Sequence, residues 1–350
     1  MKPLEVPDID AIRAAQERLR TVAVRTPLVR LDAKPSAARV PPGARVDPEP
    51  VFKNPPRATA ASIEMYLKLE TLQPIGSFKV RGAGNALHSR PAQALQAGVW
   101  TPSAGNMAQG VAWNARELGI ACTAVVPESA PQTKLAALDR LGVRVVRVPF
   151  DTWWECITTH RSDDVEGTLV HPVSDTDVVA GNATIGLEIL EDLPDVETIL
   201  VPYGGGGLSV GIAAAVRALR PDVRIYACEV ESAAPFAASL RANTPATIRH
   251  RPSFVDGIGG KTVLPEMWPA VHALLDGSIV VTLDEVCDAI RLLVDRLRVV
   301  AEGAGAAPVA AALSGRAGRG RVACVVSGGN LDSATLATIL RGERPAVPRA

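Results

Sequence analysis

Residues 198–219 read TILVPYGGGGLSVGIAAAVRAL. The β-branched run Thr198–Val201 has the length and bulk of a buried strand, and Leu208–Leu219 places apolar residues at helical spacing. Between them stands Tyr203-Gly204-Gly205-Gly206-Gly207-Leu208. Four glycines let the backbone approach a ligand closely. The helix start adds unpaired amides and the positive end of the helix dipole, so strand, loop and helix together predict a phosphate cradle. A merely flexible turn is the plainer alternative, and the placement between strand and helix argues against it.

Outward from this unit the chain alternates strand and helix. Further strands are predicted at Met65–Leu69, Ala121–Val126, Val143–Val148, Val223–Val230 and Arg321–Val326, and helices at Ala108–Leu118 and Leu283–Leu297. Repeated strand–helix–strand units predict a mostly parallel α/β sheet covered by helices on both faces, with ligands beyond the carboxyl ends of the strands. Ile12, Ala15 and Leu19, with Asp8 as N-cap, predict an opening helix. Residues 33–62 carry seven prolines among Ala, Arg and Gly, which predicts an exposed loop or insertion.

Composition narrows the function. Lys plus Arg equals Asp plus Glu at 37 each, so net charge supplies no attraction for nucleic acid or anionic membrane, and neither is expected as a partner. Zero net charge does little to keep copies apart, and a homo-oligomer (a dimer) is expected. The five cysteines show no CxxC pair, which argues against a disulfide framework and against structural zinc. Cys228 and Cys324 lie in apolar runs and read as small buried hydrophobes. No apolar stretch approaches the ~20 residues that span a bilayer and none resembles a signal peptide, so a cytoplasmic protein is expected.

The glycine loop alone leaves its ligand open. Gly205, Gly207 and Gly211 fit a loose dinucleotide spacing, and Glu229 ends the next strand where a ribose-binding acid belongs. A nicotinamide oxidoreductase is therefore the rival. A second segment decides between them: the strand Tyr66–Glu70, then Thr71-Leu72-Gln73-Pro74-Ile75-Gly76-Ser77-Phe78-Lys79-Val80-Arg81-Gly82-Ala83. Pro74 and Gly76 end the strand and Ser77 is a fair N-cap, which puts Lys79 in a first helical turn. There the dipole disfavours an ammonium and favours a neutral nucleophile or base.

The string Gly76–Ala83 resembles the cofactor-lysine motif of the threonine/serine dehydratases, within the tryptophan-synthase-β-like (fold type II) pyridoxal-phosphate enzymes. Four more segments match in order: Arg25-Thr26-Pro27-Leu28, Ser103-Ala104-Gly105-Asn106-Met107-Ala108-Gln109-Gly110, Gly204–Gly207 and Ser327-Gly328-Gly329-Asn330. The resemblance spans about Asp10 to Leu340. It implies two open, twisted, mostly parallel sheets: a large cofactor domain of residues 1–96 and 175–350, and a small domain of 97–174 carrying the asparagine loop. It further implies pyridoxal 5'-phosphate as cofactor, and elimination of water from a small hydroxy amino acid to give a 2-keto acid and ammonia.

Residue roles follow from the resemblance. Lys79 would hold the cofactor aldehyde and then remove the substrate Cα proton. Phe78 would flank the ring, Asn106 would bond its 3'-oxygen, and Gly204, Gly205, Gly206, Gly207 and Leu208 would hold the phosphate. Amides of Ser103, Ala104, Gly105, Asn106 and Met107 would bind the substrate carboxylate. Ser327 would face the pyridine nitrogen; a hydroxyl leaves that nitrogen largely uncharged, a weaker electron sink that favours expulsion of a β-hydroxyl over transamination. Glu302 is either an acid near the cofactor or a helix cap. Related racemases carry a serine as second base where this chain has Ala104, so elimination is expected over racemisation; β-replacement is the other alternative.

The match also has departures. Met107 stands where relatives usually carry histidine, which would make the pocket more apolar and admits a non-catalytic relative. Asn182-Ala183 replaces Gln-Gly. Trp153 and Trp154 replace polar residues, and they read either as core or as the wall for a bulkier, more apolar substrate. Glu229 fits one ligand of a divalent-cation site known in relatives, but Pro235 replaces the second, so no metal is expected. The chain ends soon after Asn330, so feedback through a C-terminal regulatory domain is not expected.

Overall fold

Ile199 and Val201 pack into one apolar core and Leu200, between them, into another. A strand covered on both faces requires such alternation. It recurs at Val322, Cys324 and Val326, which join Leu200, while Ala323 and Val325 join Ile199. The computed structural model, which describes residues 2–32 and 49–346, builds two sheets on such strands. They are β1 (Leu28–Leu31), β2 (Val51–Phe52), β3 (Ala58–Leu69), β4 (Val99–Thr101), β5 (Cys122–Pro127), β6 (Arg144–Val148), β7 (Thr168–Leu169), β8 (Thr198–Pro202), β9 (Arg224–Val230), β10 (Gly277–Val281) and β11 (Arg319–Val326). The α-helices are α1 (Ile9–Leu19), α2 (Lys79–Ser89), α3 (Asn106–Glu117), α4 (Gln132–Asp139), α5 (Phe150–Thr159), α6 (Thr176–Asp192), α7 (Gly207–Leu219), α8 (Pro235–Ala242), α9 (Trp268–Leu274), α10 (Leu283–Leu297), α11 (Gly303–Leu313) and α12 (Ser333–Leu340).

The larger sheet runs β1-β3-β11-β8-β9-β10-β2; its five inner strands are parallel, with β1 and β2 antiparallel at the edges. The smaller runs β6-β5-β4-β7, wholly parallel, and uses only residues between 99 and 169. The expected α/β class of two mostly parallel sheets is what is found. One face of the larger sheet is covered by α10 and α11, the other by α6, α7 and α9. Local signals start two helices where predicted. Asp8 accepts the Ala11 amide at 2.8 Å to begin α1, and Thr282 and Glu285 form a capping box for α10. The carboxyl ends of β3, β4, β7, β8 and β11 lead directly into the segments that line the site.

One expectation is corrected. Of the predicted loop 33–62, residues 33–48 lie outside the described residues, but Val51–Phe52 and Ala58–Ser62 are strand. No proline follows Pro56 in this stretch, so from Ala58 onward every residue can donate to a ladder. Val51 and Phe52 pair antiparallel with Ser278 and Gly277 at the sheet edge, where the neighbouring prolines flank the pairing rather than interrupt it. The register of β3 on β11 jumps from Ala58 to Ile63, absorbing the residues between.

Candidate active site

Lys79 is the first residue of α2, and its seat is fixed by the end of β11. The Phe78 amide donates to Ser327 O at 2.9 Å and the Gly329 amide to Gly76 O at 2.9 Å. Gly76 has φ +69°, and a Cβ there would lie 2.8 Å from Asn330 Oδ1. Ser77 does not cap the helix as predicted. It is drawn into an extended bridge with Gly328, Phe78 takes the cap position, and the buried Ser77 hydroxyl has no partner. Lys79 Nζ donates to Pro172 O at 2.8 Å and forms no ion pair among the described residues. Burial pushes its pKa down to about 8. Loss of solvation favours the neutral amine.

The glycine loop closes the opposite side. Gly206 has φ +97°, open to glycine but strained for other residues, and precedes the first turn of α7. A Cβ on Gly205 would run into the Val173 side chain, and one on Gly207 would sit 2.7 Å from the Val173 carbonyl. Bare backbone is therefore the only surface that fits here, and Gly204–Leu208 border the same cavity as Lys79.

Ser103, Ala104 and Gly105 lead into α3, with Asn106 and Met107 in its first turn, where N–H groups have no intrahelical acceptor. The Met107 side chain is only 2% exposed and packs with Leu87, Val111 and Val178. Met107 also borders the cavity, so it joins the core on one side and the cavity wall on the other. Asn106 Nδ2 donates to Glu302 Oε1 at 2.9 Å. Glu302 occupies the N-cap position of α11 without capping it through its side chain, and burial, with Asp256 nearby, raises its carboxyl to about 7. Ser327 is buried at the end of β11 and borders the cavity.

Several site residues carried no sequence signal. His171 is buried; its Nδ1 lies 2.8 Å from the Ser174 amide and 2.9 Å from Ser174 Oγ, with Nε2 3.1 Å from Ile157 O. These bonds shape the turn that presents the Pro172 carbonyl to Lys79 and Val173 to the glycine loop. Because β7 has two residues, periodicity could not flag the segment. Trp153 and Trp154 pack against the core of the larger sheet, as the core reading expects, and also border the cavity. Glu229 is occupied elsewhere. It accepts from the Phe236 and Ala237 amides at 2.8 Å each and from Ser278 Oγ at 2.6 Å, anchoring the start of α8. Cys228 and Cys324 are wholly buried, with burial raising both thiols.

These groups surround a cavity of about 700 Å³ between the two sheets' helices, within the size range of small-molecule and cofactor sites. Its donor set fits pyridoxal phosphate: a desolvated amine without a carboxylate partner, a loop from which side chains are excluded, and a buried serine. Among the described residues no group of His, Cys, Asp and Glu could hold a metal ion, and no helix is long and apolar enough to cross a membrane.

Comparison with known proteins gives the same picture. The family model described as "Pyridoxal-phosphate dependent enzyme" matches residues 45–328. An L-threonine ammonia-lyase of Thermotoga maritima is 41% identical, over 77% of this chain and 68% of its own. Among solved structures, the processed form of threonine deaminase isoform 2 from Solanum lycopersicum superposes with a TM-score of 0.76 at 28% identity, covering 97% of this chain and 95% of that one. Maize serine racemase gives a TM-score of 0.79 at 30% identity, covering 97% and 98%.

Proposed function

Because the chain belongs to the family of pyridoxal-phosphate dependent enzymes, we propose that it is an ammonia-lyase (dehydratase) acting on L-threonine, L-serine or a close hydroxy amino acid. The observation that carries this reading is the amine of Lys79. It is desolvated, unpaired with any carboxylate among the described residues, and shares one cavity with the four-glycine loop and the start of α3.

In this reading Lys79 would hold the cofactor aldehyde, Gly204–Gly207 and Leu208 its phosphate, Asn106 its 3'-oxygen, Ser327 its pyridine nitrogen, and Phe78 would flank one ring face. Pyridoxal phosphate, when bound, supplies an electron sink conjugated to the substrate Cα. The first-turn amides of Ser103–Met107 hold the substrate carboxylate with oriented donors instead of a charged side chain. Lys79 Nζ, the amine placed in the cavity beside the Pro172 carbonyl, would take the Cα proton. A proton passes to the β-hydroxyl, which departs as water, and one water is consumed as ammonia is released. The balance is one hydroxy amino acid to one 2-keto acid and one ammonia. Ala104 has no exchangeable proton, which supports elimination over racemisation. Phe150, Trp153 and Trp154 along one wall support testing bulkier side chains as well. A cytoplasmic homodimer, with residues 97–174 as the unit that carries the asparagine loop, belongs to the same proposal. Free thiols at all five cysteines support the compartment.

The test is release of keto acid and ammonia from a panel of L-hydroxy amino acids, alongside the Lys79→Ala variant. The wild-type protein should absorb in the near-visible range once loaded, and borohydride should fix the cofactor mass on Lys79. Turnover that survives in Lys79→Ala, or accumulation of D-isomer in place of keto acid, would overturn the assignment.

A further inference from the structure

Asn330 ends the Ser327–Asn330 segment at the mouth of the cavity, and its side chain is held on two sides. Its Nδ2 lies 2.9 Å from Ile75 O and 2.8 Å from Asn106 Oδ1. A backbone carbonyl can only accept, so the Ile75 oxygen dictates that the nitrogen of the Asn330 amide faces inward. That nitrogen carries two hydrogens, and the second meets Asn106. The Asn106 atom opposite it must then be the oxygen, which sends Asn106 Nδ2 towards Glu302, 2.9 Å away. Orientation is passed from one main-chain carbonyl through two amides to a carboxyl group.

We propose that Asn330 is a positioning residue that fixes the flip state of the Asn106 amide, and thereby presents the Asn106 nitrogen, not its oxygen, to the cofactor ring. This rests on the role given to Asn106 above. Glu302 cannot set the orientation alone. With its carboxyl raised to about 7 by burial and by Asp256, its ionised form accepts from the Asn106 nitrogen while its protonated form donates equally well to the oxygen. Asn330 removes that ambiguity because its own direction is set by an acceptor that never titrates. Gly76 takes part: a Cβ there would lie 2.8 Å from Asn330 Oδ1, so glycine at this position leaves room for the amide. One Asn106 N–H is bound to Glu302, and the other remains for the cofactor's 3'-oxygen.

The experiment is a double-mutant cycle on the full chain, read by pyridoxal phosphate affinity in a fluorescence titration and by the visible absorption band. Asn330→Ala and the isosteric Asn330→Asp, which keeps the shape and loses the donor, should each weaken binding about fivefold, the size of one hydrogen bond, and shift the band. In an Asn106→Ala background neither should change anything further. Equal effects in both backgrounds would show that Asn330 acts on the fold and not through Asn106, and unaltered affinity and band in Asn330→Ala would overturn the proposal outright. If Asn106→Ala itself leaves affinity and band untouched, the reading of Asn106 fails first and this inference with it.

Discussion

At neutral pH an ordinary lysine is almost never a nucleophile. A side chain with the usual value near 10.4 is neutral in fewer than about one molecule in a thousand at pH 7. With its value pushed down to about 8 by burial, Lys79 is neutral in about one chain in ten at that pH. The sign follows directly: protons leave as pH rises, so the reactive fraction climbs through the region of pH 8 and reaches about nine-tenths by pH 9, where an exposed lysine is only about 4% neutral. Loading of the cofactor-free chain should therefore accelerate about tenfold from pH 7 to 9, with a midpoint near 8, as followed by stopped-flow absorbance. A midpoint near 10 would mean that the amine is solvated and would remove its special status. The sequence marked Lys79 by the residues around it, because proline and glycine end the preceding strand by local chemistry, although Ser77 does not supply the cap expected of it. It attributed the shift to the helix dipole, since burial by Pro172 and the glycine loop depends on segments about 90 and 125 residues further along. Met107 shows a related limit: its place in the chain suggested a pocket residue, and only the packing of α3 against α2 shows that it joins the core as well.

Among the elements, the unit formed by β8, the glycine loop and α7 was legible nearly to the residue, because β-branched bulk, four glycines and a 3.6-residue apolar period each speak for themselves. Strands β4 and β7, of three and two residues, and the edge strand β2 were not. Such short runs acquire strand geometry from the neighbours they pair with, and no periodicity can be read from them. The glycine loop and β7 are nonetheless one structural device, since the turn after β7 carries Val173 against the loop. Gly207→Ala tests that coupling. Its Cβ would lie 2.7 Å from the Val173 carbonyl, a backbone atom that cannot swing aside. The loop or the turn must shift, and pyridoxal phosphate affinity should fall by an order of magnitude or more, about 1.4 kcal/mol, in equilibrium titration. Gly205→Ala should cost at least as much, because both Val173 methyls lie within 2.7 Å of the new carbon and every χ1 rotamer of valine keeps a methyl there. A smaller loss in Gly205→Ala than in Gly207→Ala would show that the Val173 side chain moves aside where its carbonyl cannot.

Across the whole molecule, the one matched segment that does not border the cavity, Arg25–Leu28, joins a buried cluster around Arg81. Arg81 bonds both oxygens of Glu70 at 2.8 and 2.9 Å and both of Glu188 at 2.7 and 2.9 Å. Thr26, from the Arg25–Leu28 segment, donates to Glu70 at 2.6 Å; Thr184 lies 3.1 Å from Arg81, and Lys68 pairs with Glu188 at 2.6 Å. Two cations and two anions balance inside the protein. Burial alone would raise the Glu70 carboxyl, but Arg81 beside it holds it below its ordinary value. Its folded value being the lower, this group adds stability above its unfolded pKa and loses it as pH falls through the folded one. The cluster ties the end of β3, the strand before α2, to α2 and α6, and so fixes the helix that begins with Lys79. Arg81→Met keeps much of the bulk and removes the charge, leaving Glu70 ionised without its partner. It should destabilise the chain by about 3–5 kcal/mol, the cost of a buried ion left unpaired, in urea unfolding followed by far-UV circular dichroism. Arg81→Lys retains the charge but cannot grip two carboxylates at once, so its loss should be intermediate. If Arg81→Met unfolds at the same urea concentration as the wild type, the cluster contributes nothing net, and the seat of α2 must come from apolar packing alone.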